Sequence, residues 1–173
     1  TKPDLEINTT EKKSNVLIDY KQNTSLNDKL NFIKQKDKTF NLTSFLNGAN
    51  RAFEYIIDCY VNNKENELSK LLSTEMLAEY KKEIKNRKKK KEKLEIQIIE
   101  LKEPLMKDVN INGNVANIQI EYKSQQIQVT RDAEDKIVDG DINQILSIKE
   151  IWVFSKKLNN KSPIWTLQEI LDT

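Results

Sequence analysis

The sequence changes its hydrophobic period once, near residue 93, and this change most restricts the folds it can adopt. From Leu42 to Ile84 the apolar residues recur at three- and four-residue steps, the spacing of amphipathic helices. From Leu94 onward they alternate with polar residues, the spacing of half-buried strands. Helices followed by a run of strands are typical of an α+β domain, in which helices pack on one face of an antiparallel sheet.

The helical half predicts three helices. The first begins at Leu42 and has one broad apolar face, the second is short, and the third follows the N-cap signal "ST" at 73–74. Gly48 lies inside the first helix, where glycine costs about 1 kcal/mol relative to alanine. We therefore expect another backbone to approach the helix closely at this glycine.

The strand half predicts an antiparallel meander. "LEIQIIELK" slips phase at residues 98–99, which indicates a bulge, and the Asn-Gly pair within "INGNVANIQIEY" indicates a tight hairpin. "ILSIKEIWVFSKKL" and "IWTLQEIL" close the chain as two further strands. The sequence therefore predicts a curved antiparallel sheet of about four strands, with the N-terminal helices packed on one face.

The first 38 residues are polar and predict no core of their own. Leu26, Leu30 and Ile33 follow an i, i+4, i+7 spacing, so a short amphipathic helix is expected, although its apolar stripe is thin. We interpret residues 1–38 as a polar N-terminal segment or a loosely docked helix, and residues 39–173 as the α+β domain.

Few residue types suited to catalysis are present. The chain has no histidine, and its single cysteine, Cys59, lies in an apolar helical stripe, so a thiol nucleophile would lack a base. No glycine-rich phosphate loop and no cluster of metal ligands occurs in the sequence. Glu150 is in phase with Trp152 and Phe154; a base in a buried setting is one interpretation, and a hydrogen-bond acceptor at the sheet margin is the simpler one. We expect no catalysis, no cofactor and no metal.

The segment "KKEIKNRKKKKEK" at 81–93 is the strongest charge feature. Nine of its thirteen residues are basic, although the whole chain has a formal net charge of only +2. It is either the solvated C-terminal end of a helix, where cations complement the helix dipole, or a binding surface for anionic headgroups. Nucleic acid is a less favoured partner, because the run has one arginine and no aromatic residue. The candidate lipid-binding residues are Lys81, Lys82, Lys85, Arg87, Lys88, Lys89, Lys90, Lys91 and Lys93.

A second candidate site consists of large apolar side chains on elements that should face one another. They are Phe53, Ile57, Tyr122, Trp152, Phe154 and Trp165. An ordinary core is the simplest interpretation, since large aromatic side chains dominate cores. A hydrophobic pocket for an acyl chain, or for an apolar side chain of a partner, is the alternative, and a curved sheet can enclose both core and cavity.

Several blocks of the sequence resemble one known family. "FLNGANRAFEYII", Arg87, "RDAEDKIVDGD" and "IWVFSKK…SPIWTL" are similar in order and spacing, over roughly residues 40–172, to the translocase of the inner membrane subunit 44-like domain. Asp135 stands where we expect a glycine of that family, and Lys156 where an arginine often follows the strand motif. The resemblance implies a fold related to the nuclear-transport-factor-2-like cone, with a hydrophobic pocket between sheet and helices.

The resemblance also implies a function. Mitochondrial members tether a heat-shock chaperone to the protein-conducting channel of the inner membrane and contact anionic lipid, and bacterial relatives usually carry one N-terminal membrane helix. The richness in lysine and asparagine fits a bacterial member from an AT-rich genome. We therefore expect a non-enzymatic adaptor at the cytoplasmic face of a bacterial inner membrane, either peripheral or anchored by a helix upstream of this chain. Its expected partners are anionic lipid and a protein, either a chaperone or a membrane-protein client.

Two other functions remain open. A mitochondrial large-ribosomal-subunit protein shares the domain, so a ribosome- or RNA-associated module is one alternative, and it would bind structured RNA with a steep salt dependence. The other is a carrier of a small ligand such as an acyl chain, or an enzyme, that uses the pocket of the cone.

Overall fold

The computed structural model describes residues 24–172, and in it the helices precede the strands as the periodicity predicts. The helices are α1 (Thr24–Lys36), α2 (Leu42–Val61), α3 (Glu65–Leu71) and α4 (Thr74–Lys90). The strands are β1 (Lys93–Leu101), β2 (Leu105–Asn112), β3 (Val115–Arg131), β4 (Ile137–Gly140), β5 (Leu146–Lys157) and β6 (Thr166–Asp172). The predicted α+β class is confirmed: within residues 24–172, four helices pack against one open antiparallel sheet, consistent with a cone-like fold.

In the described part of the chain the sheet has six strands, and β3 is its long central strand. Along one side of β3, β2 pairs with the first half and β1 with the second half. Along the other side, β5 pairs with residues 115–126 of β3 and β4 with residues 129–131. β6 then pairs with β5. The sheet of the described residues is thus four strands wide at most, and its six strands exceed the predicted number of about four. The short β4 shows no apolar–polar alternation, because all four of its residues are exposed.

The turn and bulge signals of the sequence coincide with irregularities in the sheet. The register of β1 shifts between Ile98 and Glu100, as the phase slip predicts. The β2–β3 hairpin turns at Gly113, whose φ is 60°. Further register shifts interrupt the β2–β3 and β5–β6 pairings. Because bulges increase local twist, they help to bend the sheet around the helices.

The core fills the space between the helices and the inner face of the sheet. Its buried residues on α2 are Ala49, Phe53, Ile56 and Cys59, and on β3 they alternate at Ala116, Ile118, Ile120 and Tyr122. The Tyr122 hydroxyl donates a hydrogen bond to the carbonyl oxygen of Ala49 at 2.5 Å. Helix and strand are therefore joined at the centre of the core by a buried polar contact as well as by packing.

α1 is part of this core, in contrast to the loosely docked helix that the sequence indicated. Leu26, Leu30 and Ile33 are only 5%, 9% and 0% exposed, and the helix lies against β2. The stripe is thin, but β2 provides an apolar surface that covers it, including the fully buried Val109. Residues 1–23 of the predicted polar segment lie outside the described residues.

Side-chain caps fix where α2 and α4 begin. The side chain of Asn41 accepts a hydrogen bond from the backbone N–H of Ser44, and the hydroxyl of Ser73 accepts one from the N–H of Met76. The Ser73 hydroxyl also donates to the carbonyl oxygen of Gln168, which attaches the start of α4 to β6. From this fixed start α4 runs along the sheet, and Ile84 is its last buried residue.

The predicted close approach of another backbone to α2 at Gly48 is wrong. A Cβ atom placed on this residue would have no heavy atom within 4 Å, so no other backbone approaches it. The glycine instead lines an open cavity, whose other walls are described below.

Replacement of Gly48 by alanine should therefore stabilise the protein. We expect Gly48→Ala to raise the free energy of unfolding by about 0.5–1 kcal/mol, because alanine loses less conformational entropy in a helix and meets no clash here. Denaturant unfolding measures the change. Gly140→Ala is the matched control and should destabilise, since Gly140 has a φ of 83° and an added Cβ would collide with the backbone of Gln128. A Gly48→Ala variant that is less stable than the parent chain would contradict the open surroundings of Gly48.

Candidate functional site

A cavity of about 340 Å³ opens between α2, the α1–α2 loop and the β5–β6 loop. Three aromatic rings on its wall form a cluster: the centroids are 5.9 Å apart for Phe40 and Phe45, 6.0 Å for Phe40 and Trp165, and 5.1 Å for Phe45 and Trp165. On the α2 side Gly48 and Ala52 leave room, because their side chains are small. The cavity is therefore mainly apolar and open at one end of the helix layer.

Three of the six predicted pocket residues lie in the centre of the core and not in the cavity. Phe53, Tyr122 and Trp152 stack with ring centroids 4.6, 4.9 and 5.1 Å apart. None of the three is more than 1% exposed. This stack is the ordinary aromatic core that the sequence also allowed.

The other three predicted pocket residues face open space at two separate places. Phe154 and Trp165 line the cavity, whereas Ile57 lines a groove between α2 and β1. The cavity residues that the sequence did not reveal include Phe40 and Ile164, which lie in loops where no periodicity marks an inward side chain.

A buried ion pair forms part of the cavity wall. The Lys156 ammonium donates a hydrogen bond to a carboxylate oxygen of Asp37 at 2.6 Å, and the two side chains are only 4% and 10% exposed. The backbone N–H and the hydroxyl of Thr39 donate to the other carboxylate oxygen. Burial raises the pKa of Asp37, but the hydrogen bonds from Lys156 and Thr39 and the charge of Lys156 outweigh burial and hold this pKa below its ordinary value. Asp37 is therefore ionised at neutral pH and joins the α1–α2 loop to β5.

The basic run forms the last turns of α4 and the start of β1, and residues 81–93 are called the basic end below. Its exposed members are Lys81, Lys82, Lys85, Lys88, Lys89, Lys90, Lys91 and Lys93. Within residues 24–172, a single ion pair reaches them, between Lys88 and Glu65 at 4.0 Å. No helix of the described chain is both long and apolar enough to cross a bilayer. The basic end therefore keeps most of its positive charge unneutralised by the described acidic groups.

Arg87 differs from the lysines around it. Its guanidinium lies 4.4 Å from the centre of the Tyr60 ring and donates hydrogen bonds to the Tyr60 carbonyl oxygen at 2.7 Å and the Asn63 side chain at 3.1 Å. The Tyr60 hydroxyl in turn donates a hydrogen bond to Glu83, and burial together with this bond raises the pKa of Tyr60 to about 12. Arg87 thus holds the end of α4 against the end of α2, and the lysines are positioned by it.

Glu150, which is in phase with core residues of β5, has a structural partner. It accepts a hydrogen bond from the indole N–H of Trp152 at 3.2 Å, as a hydrogen-bond acceptor would, but it pairs with residues of β3 and β6 and does not lie on an edge strand. In the described part of the chain, no three acidic or cysteine side chains come together in a group that could hold a metal ion.

Loss of one partner from the Asp37–Lys156 pair should destabilise the protein more than loss of both. We expect Asp37→Ala to cost about 3–5 kcal/mol at pH 7, because it leaves a buried ammonium without a counter-charge, whereas the double change Asp37→Leu with Lys156→Met should restore most of that stability. Denaturant unfolding of the three chains measures both differences. A single variant that costs less than about 1 kcal/mol would be typical of an exposed pair and would contradict the burial.

The same pair predicts a pH dependence. A carboxylate whose pKa is lowered by folding stabilises the folded state above its ordinary pKa of 3.8 and loses this effect as pH falls through the lower, folded value. The stability difference between the parent chain and Asp37→Asn should therefore be constant near neutral pH and shrink in acid. A difference that grows as the pH is lowered would contradict the direction of the pKa shift.

The family model of the Tim44-like domain matches residues 26–172 of the chain. The match begins inside α1 and extends through β6, so it includes the cavity, the buried ion pair and the basic end. Among curated proteins, none matches the chain significantly. The chain belongs to the Tim44-like domain family.

Proposed function

We propose that this protein is a non-enzymatic adaptor that holds a protein partner at a membrane, and that the basic end is its contact with anionic lipid. Tim44-like domains are membrane-associated or translocation-related, which supports the coarse part of the proposal. The finer part is supported by one observation, the eight exposed lysines of the basic end, which a single ion pair reaches within the described residues.

The energetics of the basic end favour an external anion. Lysines near an anionic bilayer contribute about 1 kcal/mol each, and salt weakens this attraction. The helix dipole favours cations in the last turn of α4, but it does not remove the mutual repulsion of Lys88, Lys89, Lys90 and Lys91. A layer of anionic headgroups relieves that repulsion without any change in the fold.

An acidic turn between β3 and β4 restricts how a membrane can approach. It lies at the same end of the sheet, because Lys93 of β1 pairs with Arg131 of β3. Asp132 accepts hydrogen bonds from two backbone N–H groups of the turn, and Asp135 lies 4.0 Å from Arg131. These carboxylates organise the turn and would repel anionic lipid, so we expect the bilayer to contact the end of α4 and not the turn.

In this proposal the adaptor works at the cytoplasmic face of a bacterial inner membrane. It is either peripheral or attached by a membrane helix upstream of this chain, and its protein partner is a chaperone or a membrane-protein client. The basic end then supplies the lipid contact, while another surface of the domain remains available for the protein.

Vesicle co-sedimentation tests the lipid contact. We expect the chain to bind cardiolipin-containing vesicles at low salt and to bind neutral vesicles weakly. Replacement of Lys88, Lys89, Lys90 and Lys91 by glutamine should weaken binding by about two to three orders of magnitude, since four charges of about 1 kcal/mol each are lost, and should leave the melting temperature nearly unchanged.

The matched control removes the same charge elsewhere. Glutamine at the exposed Lys34, Lys38, Lys157 and Lys161 should weaken vesicle binding much less, since Lys157 lies at the end of β3 opposite to the basic end. Equal binding of the parent chain to neutral and cardiolipin-containing vesicles would contradict the proposal, and so would an equal loss in the two lysine variants.

The cavity favours a second candidate function, the carriage of a small ligand with an apolar chain. Its aromatic wall, formed by Phe40, Phe45 and Trp165, suits an acyl chain. Titration with dodecanoate tests this candidate: Gly48→Leu should block binding by filling the cavity, and undiminished binding to this variant would contradict it. The ribosome- or RNA-associated alternative predicts instead that the protein co-fractionates with ribosomal particles.

A further inference from the structure

We infer that β1 and α2 form a docking groove for an extended basic segment of a partner protein, which adds a strand to the sheet beside β1. The inference rests on the proposed adaptor function, in which this groove is the protein-binding surface. β1 pairs with β3 along one side, and no strand of the described chain pairs with its other side. Such an edge presents unpaired backbone N–H and C=O groups, which an extended peptide satisfies by strand addition.

An apolar floor accompanies the open edge. A groove of about 410 Å³ runs between α2 and β1, and its apolar side chains are Ile57, Val61, Ile96 and Ile98. All four are only half-buried, whereas the inward residues in the middle of β3 are fully buried. The helix layer thus leaves the margin of the sheet partly uncovered. A strand added beside β1 would cover these side chains with every second residue of its own.

The charge around the groove selects a basic partner. Its lining contains the carboxylates of Glu54, Asp58 and Glu95 and no lysine or arginine, although the chain has 29 basic residues. Lys64 lies 3.0 Å from Asp58 and Arg131 lies 3.2 Å from Glu95, but both carboxylate side chains remain about half exposed, at 52% and 50%. Glu54 is exposed and forms no ion pair with any described residue. Lysine or arginine between the apolar positions of a bound segment would lie on the face of Glu95, and the carboxylates of α2 add a longer-range attraction for a basic segment.

The bulge in β1 limits the length of the docking edge. The register shift between Ile98 and Glu100 breaks the regular row of backbone groups, and Ile99 between them is 43% exposed. Residues 94–98 therefore form the segment that can pair with an added strand. The acidic groove and the basic end carry opposite charge, so the groove suits a basic peptide and the basic end suits anionic lipid.

Titration of the isotope-labelled full chain with a short, end-blocked peptide of alternating valine and lysine tests the inference. We expect amide resonances of residues 94–98 and 54–61 to shift. The control is the same peptide N-methylated at alternate residues, which keeps the side chains but removes the N–H groups of one edge, and it should not bind. Equal binding of the N-methylated peptide, or shifts confined to the cavity or the basic end, would overturn the inference.

Charge reversal in the groove provides a second readout. Glu54→Lys should weaken binding of the peptide by about five-fold at low salt, because Glu54 lines the groove and its charge reversal turns an attraction for a basic peptide into a repulsion. Glu79→Lys makes the same change at an exposed site of α4 that does not line the groove, and it should weaken binding by less than about two-fold. Equal effects of the two variants would also overturn the inference. So would shifts of the β1 resonances that appear without peptide as the protein concentration rises, because they would indicate that a second copy of the chain occupies the groove. The titration contains no lipid, so it is independent of the vesicle result.

Discussion

The packing of α2 against β3 and β5 is the constraint on which the rest of the structure depends. Phe53 stacks against Tyr122 and Trp152, and the Tyr122 hydroxyl bonds to the carbonyl oxygen of Ala49, so the helix is fixed both across and along the sheet. The helix fixed in this way lies beside β1 as well as over the core. The cavity opens at its N-terminal part, and the groove opens between its C-terminal half and β1.

The basic end is a consequence of the same arrangement. Ser73 fixes the start of α4 on β6, and Arg87 fixes its end on Tyr60 of α2. After Ile84 the helix has no apolar surface left to cover, so its last turns carry only polar and charged side chains. The lysines are thus held on a rigid element beyond the core, and this placement suits contact with an extended anionic surface better than a closed ligand site.

The sequence predicted those features that depend on local pattern. The period change near residue 93, the bulge at 98–99 and the Asn-Gly hairpin each follow from a few neighbouring residues and are confirmed. The docking of α1, the open space at Gly48 and the Asp37–Lys156 pair depend on segments far apart in sequence, so no local pattern marks them. Two departures from the family pattern also gain a physical meaning: Asp135 adopts a φ of 67°, a conformation that glycine adopts more readily, and Lys156 forms the buried ion pair.

In the proposed function, the end of α4 is the surface that meets anionic lipid. Paramagnetic broadening of the backbone amide resonances by a spin-labelled lipid, in bilayers that contain cardiolipin, measures directly which residues lie next to the headgroups. We expect strong broadening at residues 85–93 and little at the α1–α2 loop or the β5–β6 loop. Broadening that is strongest at those loops, or equal over the whole surface, would contradict this expectation.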